Sequence, residues 1–209
     1  MRTALRLLLP ALMISFVPIA AGATGSAAPQ APTAYVQSQA GQVIAIINTP
    51  AARGSRAAQD RFNRLQSVVR GFMHFETLAQ RTLGQHWQAR TPADRAEFLA
   101  LLQQLIETSY AKSLGNAQVA PRDYAVNYTG ERIRGERATV EGSVVVKGES
   151  HIIELKLQRD GENWIVLDVV TDDVSLAESY AESFDRIIKK DGWAALLSRM
   201  RSRLAELRR

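Results

Sequence analysis

The stretch Asn163-Trp164-Ile165-Val166-Leu167-Asp168-Val169-Val170 places a single carboxylate in an apolar run. If the run is a strand, Asp168 lies one alternation step beyond Trp164 and Val166 and shares their face. A carboxylate in such surroundings could serve as a general base, because desolvation raises its pKa. It could equally accept hydrogen bonds at a strand end. The chain has three histidines, His74, His86 and His151. His74 and His86 have no second histidine or carboxylate at i+3 or i+4, the spacing that sets two ligands on one helical face; His151 has Glu154 at i+3 but starts a strand-like run, so the pattern points to no metal. Asp172 and Asp173 precede a helix start, where carboxylates complement the dipole and the free N–H groups. Gly130 and Gly135 have the glycine spacing of a P-loop, but Glu136 stands where its lysine must be. There is no cysteine, no G-x-S-x-G elbow and no H-E-x-x-H. Asn127-Tyr128-Thr129 fits a glycosylation sequon, a motif too common to carry weight.

The elements that hold these residues follow from periodicity. Apolar positions from Tyr35 to Ile47 suit a helix that Pro50 stops, and a second helix runs from about Ser55 to Arg70. A short one spans Phe75 to Leu83 and ends at Gly84. Thr91 as N-cap, Pro92 at N1 and Asp94 at N3 open a long helix with Phe98, Leu101, Leu102, Leu105 and Ile106 on its buried stripe, and Gly115 fits its C′ position. After Pro121 the period changes to two. Four strand-like runs follow, separated by breaks that contain glycine, with Asp160-Gly161 the strongest hairpin signal. The third run alternates and is wet on one side, whereas the fourth is apolar on both faces and belongs in the sheet centre beneath helices. Ser175 with Glu178 caps a further helix, and Asp191-Gly192 separates it from a last amphipathic one. The fold class is α+β, with helices packed on a four- or five-stranded antiparallel sheet.

Composition narrows the setting. Of 209 residues, the first 23 read as a signal peptide: Arg2 and Arg6, an apolar run too short to span a bilayer comfortably, then Ala21-Gly22-Ala23. Residues 24–33 form a flexible lead and residues 34–209 a single domain. No cysteine follows the apolar run, which argues against a lipid anchor, and the expected compartment is the periplasm. An exported chain without cysteine depends on a conventional core. The formal charge of +5 falls to +3 without Arg2 and Arg6, and much of the excess sits in the C-terminal Ser198–Arg209. That segment is a solvated helix face or a contact for an acidic partner or anionic headgroups. Basic residues are not interleaved with aromatics as a nucleic-acid groove requires. The helices and the sheet supply more apolar surface than polar machinery. Either it all packs, or it leaves an apolar cavity between the long helix and the sheet.

Two blocks resemble a known family. Phe75–Leu114 contains a short helix ending in Leu83-Gly84, then Trp87, then Thr91-Pro92 opening a long helix that ends in Tyr110-Ala111. Asn163–Met200 carries Trp164, Asp168, Val169, Val174, Ser175, Leu176, Tyr180, Phe184, Ile188 and Gly192. Together they are similar to MlaC-type periplasmic phospholipid-binding proteins, the toluene-tolerance auxiliary component family, from about Tyr35 to Leu207. The chain departs from the pattern at His74, Asp173 and Ala181. The resemblance implies an apolar lipid pocket and no catalytic residue, metal or cofactor, with bound phospholipid or a related lipid as cargo. Some related members occur with hopanoid pathways, so the lipid class stays open. It also implies partners: an inner-membrane MCE-domain protein of an ABC transporter and an outer-membrane lipoprotein complex. On this reading the pocket walls are Phe98, Leu102 and Ile106 of the long helix, Phe75 and Leu78 of the short one, and strand residues Val144, Val146, Ile153, Leu155 and Val166. The rival expectations are an enzyme on a cone-shaped α+β scaffold with Asp168 as base, and an adaptor without a cavity.

Overall fold

A computed structural model describes residues 30–52, 54–116, 124–146 and 149–209, with the side chains of residues 113–116, 124 and 146 also left aside. The expected signal peptide and residues 24–29 of the lead lie outside the described residues. Helix α1 is Pro32–Ile47, three residues longer at its start than periodicity gives, because Pro32 takes the first helical position that its fixed φ suits. Helix α2, Arg56–Phe72, begins at Ser55, whose Oγ accepts from the Ala58 N–H at 3.1 Å. Helix α3, Phe75–Leu83, is capped by an unusual residue: His74 Nδ1 accepts from the Thr77 N–H at 3.1 Å. Gly84, with φ +49°, ends it.

Helix α4, Pro92–Asn116, opens with the reciprocal box the sequence suggests. The Asp94 N–H donates to Thr91 Oγ1 at 3.1 Å and the Thr91 N–H donates to Asp94 Oδ2 at 3.2 Å. Its far end corrects the expectation, for the helix runs through Gly115 to Asn116 rather than stopping there. Helices α5, Leu176–Asp191, and α6, Trp193–Leu207, complete the layer. Ser175 Oγ accepts from the Glu178 N–H at 3.1 Å and starts α5.

The sheet is an antiparallel meander in chain order: β1 Tyr124–Arg134, β2 Arg137–Val146, β3 Glu149–Asp160, β4 Asn163–Thr171 and the two-residue β5 Val174–Ser175. Two-residue turns join them where φ can turn positive, at Gly135 (59°) and Gly161 (60°), and at Asp172 and Asp173 (48° and 65°). The turn after β3 is Gly161-Glu162 rather than Asp160-Gly161, because Asp160 pairs with Asn163. Asp172 and Asp173 therefore form the β4–β5 turn, and the helix they precede begins after Ser175. Gly130 does not end its strand. The β1–β2 register jumps between Tyr128 and Gly130, and β1 runs on to Arg134.

A second irregularity decides where Asp168 goes. Leu157 pairs with Val166 but Lys156 pairs with Asp168, so Leu167 is an extra residue in β4. The extra residue interrupts the simple alternation. Beyond it Val169 stands opposite Leu155, and Asp168 stands opposite Lys156. The main core lies where Val140, Leu157, Trp164 and Val166 of the sheet meet α3, α4, α5 and α6. Phe98 of α4 packs edge-on against Phe184 of α5, with ring centroids 5.5 Å apart, and lies 5.8 Å from Trp193 of α6. This turns the α4 stripe toward the C-terminal helices.

Candidate functional site

A cavity of about 220 Å³ lies where α1 and α2 cross the sheet. Val36, Ala40 and Val43 of α1 form one wall, and Val68, Val69 and Phe72 of α2 a second. Val126 and Tyr128 of β1, Val140 and Val144 of β2, Ile153 and Leu155 of β3 and Val169 of β4 make the third. A Cβ at Gly142 would collide with the Asn127 carbonyl oxygen, so glycine lets β1 and β2 close beneath the cavity. The polar lining is sparse: Gln39, Glu141 and Ser143, with the tyrosines Tyr110 and Tyr128.

Among the described residues of α4, Tyr110 alone lines the cavity. It keeps 42 % of its surface accessible, yet the protein around it pushes its hydroxyl pKa above the usual value by desolvation. The two facts agree if the accessible surface faces the cavity rather than open solvent. Tyr180 of α5 is raised for the same reason and by the nearness of Tyr110, with Arg203 opposing the rise. At neutral pH both phenols are neutral hydrogen-bonding groups.

Of the residues expected to wall a pocket, Val144, Ile153 and Leu155 line this cavity. Phe75, Leu78, Phe98, Leu102, Ile106 and Val166 do not; all six are buried in the packed core beside it. Phe98 of α4 packs instead on Phe184 of α5 and Trp193 of α6, while α1 and α2 supply the helix walls of the cavity. The side chain of Val146 lies outside the described residues. The helix walls are thus Val36, Ala40, Val43, Val68, Val69 and Phe72, which the periodicity marks only as apolar faces.

Asp168 sits away from the cavity, wholly buried at the β4–α5 corner. Its Oδ2 accepts from Ser175 Oγ at 2.8 Å and from Arg81 Nη2 at 3.2 Å, and its Oδ1 accepts from the Ala177 N–H at 3.1 Å. Both oxygens are occupied by donors that fix the start of α5 against β4 and α3. A second buried carboxylate, Glu107, escapes sequence reading because it sits beside an apolar stripe. It accepts a two-pronged bond from Arg70 (2.9 and 2.8 Å) and one from Gln103 Nε2 (2.7 Å), clamping α4 to α2.

The histidines are each engaged. His86 Nε2 lies 2.8 Å from Asp185 Oδ1, His151 Nδ1 lies 2.9 Å from Asp172 Oδ2, and His74 serves as the cap of α3. Asp172 is held below its ordinary pKa by the His151 hydrogen bond and then by the Ile152 N–H. Among the described residues no group of three or more His, Asp or Glu side chains could hold a metal ion, and no helix is long and apolar enough to cross a membrane.

These features define a class: an α+β domain in which two helices and an antiparallel sheet enclose an apolar cavity. Residues 37–202 match the MlaC protein family, and the chain belongs to it. A solved structure shares the fold: the phospholipid-binding protein from Ralstonia solanacearum, determined in complex with a phospholipid, at 21 % identity and a TM-score of 0.70. The alignment covers 86 % of this chain and all of that one. None of the curated proteins matches the chain significantly.

Proposed function

We propose that the chain is a lipid carrier that takes up the acyl chains of a phospholipid or related lipid between α1, α2 and the sheet. The observation that carries this reading is the cavity itself, with apolar walls and few polar groups. Membership of the MlaC family and the phospholipid bound by the Ralstonia protein support it. Two chains of about 16 carbons, at about 0.8 kcal/mol per CH₂ kept from water, represent roughly 25 kcal/mol of gross transfer energy. A bilayer offers nearly the same. Exchange with a membrane is then close to balanced while loss into water is negligible, and the protein needs no reacting group. A cavity of about 220 Å³ is smaller than the ~300–1,000 Å³ of ordinary ligand sites, so a two-chain cargo requires its walls to part.

In this reading residues 1–23 direct export and are removed, and the carrier works in the periplasm. It moves lipid between an inner-membrane ABC transporter with an MCE-domain protein and an outer-membrane lipoprotein complex. The enzyme alternative is not favoured by the geometry: Asp168 is spent on three donors and does not border the cavity. The test is solvent extraction of the purified chain followed by mass spectrometry. One lipid per chain is expected. A chain that emerges lipid-free and takes up none from liposomes containing phospholipid overturns the proposal.

A further inference from the structure

The basic residues of the C-terminal helix are largely spoken for. Arg199 pairs with Asp191 at 2.6 Å, Arg201 with Glu97 and Arg203 with Glu206, while Arg208 donates to Gln104. Among the described residues Arg56, Arg64, Arg186 and Lys190 are exposed cations without an ion pair, but they lie on helices; at the tip of the β1–β2 hairpin two such cations are paired across the strands. Arg134 and Arg137 are direct cross-strand partners that close the Gly135-Glu136 turn, an arrangement that sets the Cβ atoms of two like-charged side chains about 5 Å apart on one face. Arg132 opposite Thr139 continues that face, and these four residues with Ala138 line a surface depression.

Like charges directly opposite in a sheet are unfavourable, so an ordinary structural pairing would put a carboxylate nearby. The neighbouring carboxylates are committed elsewhere. Glu136 reaches Arg159 at 3.5 Å, Glu141 pairs with Arg132, and Glu131 accepts the Thr33 N–H at 2.7 Å. Among the described residues the side chains of Arg134 and Arg137 make no hydrogen bond or ion pair. All seven residues from Glu131 to Arg137 are exposed, and Ile133, on the other face of the tip, shows 50 % of its surface.

We infer that this hairpin tip docks on an anionic phospholipid bilayer. The guanidinium forks of Arg134 and Arg137 hold lipid phosphates that relieve their mutual repulsion, and Ile133 rests among the upper acyl carbons. The chemistry favours a bilayer over an acidic protein surface for two reasons. The two cations paired at the tip are both arginines, whose planar forks match phosphate oxygens in pairs. The exposed Ile133 lies on the other face of the same exposed hairpin tip, so that a tip entering edge-on sets an apolar group just below a layer of phosphates. The inference goes beyond cargo binding and concerns a surface outside the cavity walls.

The test is flotation with vesicles of neutral phosphatidylcholine alone or with one third phosphatidylglycerol. The parent chain is compared with R134Q/R137Q and with the control R201Q/R203Q, all purified in the same form. Each basic residue near an anionic surface strengthens association about fivefold, so the hairpin double variant is expected to bind anionic vesicles about 30-fold more weakly. The helix control should change little, and Ile133→Ser should give a smaller loss. Raising the salt to about 1 M should erase the anionic preference, since the screening length shrinks to about 3 Å. Lipid extracted from R134Q/R137Q should match the parent, which separates this inference from the carrier reading. Undiminished flotation of R134Q/R137Q, an equal loss in R201Q/R203Q, or no preference of the parent for anionic vesicles overturns the inference. Any of these would leave the two arginines to an acidic protein surface.

Discussion

Replacing Asp168 separates a structural corner from a reacting group. Its three donors differ in worth. The Ser175 hydroxyl and the Ala177 N–H are buried with it, whereas the Arg81 side chain is about one third exposed and its pairing is weakened by water. Asp168→Ala leaves two buried donors without partners at about 1–3 kcal/mol each, and removes atoms from a filled space besides. A total of about 4–5 kcal/mol follows. Asp168→Asn is isosteric and keeps one acceptor. The Ser175 hydroxyl, which already accepts the Glu178 N–H, can also accept from the new amide, so the loss is the charge assistance, about 2 kcal/mol. For a domain of this size 1 kcal/mol moves Tm by about 2–4 °C, so Asn lowers it by about 4–8 °C and Ala by about 8–20 °C. Calorimetry or circular dichroism gives the melting temperatures, and lipid extraction gives occupancy below the transition. Lipid content should be near the parent's in Asp168→Asn. A variant with unchanged Tm and lost lipid binding or transfer would refute the corner assignment and make Asp168 a group that meets the cargo.

Three other perturbations test the remaining elements. Ala40→Trp points bulk into the cavity from α1 and should cut lipid per chain at least severalfold with little change in Tm, while Leu102→Trp overpacks the core at about 1–3 kcal/mol and acts first on stability; extraction and melting of the pair distinguish them. Arg70 is more than half exposed, yet Arg70→Ala strands the buried Glu107 with Gln103 alone and should cost about 2–3 kcal/mol by denaturant melts, well above the usual surface value of about 0.5. The pKa of Asp185 is pushed down to about 2, first by the Lys189 hydrogen bond and then by His86. A depressed carboxylate contributes stability above its unfolded pKa and loses it as pH falls through the folded one. The contribution should fade between about pH 4 and pH 2, and Asp185→Asn should remove that part of the acid slope in pH-dependent melts.

How much of this was legible depends on the range of the signal. The α3 bounds, the Thr91–Asp94 box and the Ser175 cap are local, each set by a side chain within three residues of the N–H it meets. They could be read from sequence because nothing distant competes. The same holds for the change of period after Pro121 and for the meander, since two-residue turns leave adjacent strands little choice but to pair. The two register breaks were not legible. Thr129 and Leu167 look like ordinary strand residues, and their displacement is imposed by partners on the next strand. Glu107 failed for a related reason: a lone carboxylate at the edge of a stripe reads as solvated until the helix that brings Arg70 is in place.

The cavity walls show the deeper limit. A side chain that packs against another and one that borders empty space bury the same apolar groups and follow the same 3.6 or 2.0 period. Periodicity therefore finds the faces of α4 but not what they face. What decides is tertiary placement: Phe98 packs against Phe184 of α5 and Trp193 of α6, and it is α1 and α2 that supply the helix walls of the cavity. The same geometry bears on how cargo would leave. Val140, the cavity residue nearest the β1–β2 turn, is three residues from Arg137, about 10 Å along the strand. A bilayer's polar layer is about 5–8 Å deep. If the hairpin tip sits among phosphates, the near end of the cavity stands just above them, so the acyl chains have only a short polar gap to cross. Docking by that tip would then decide which end of the cavity meets the membrane, because the end closest to it is the end that the arginines choose.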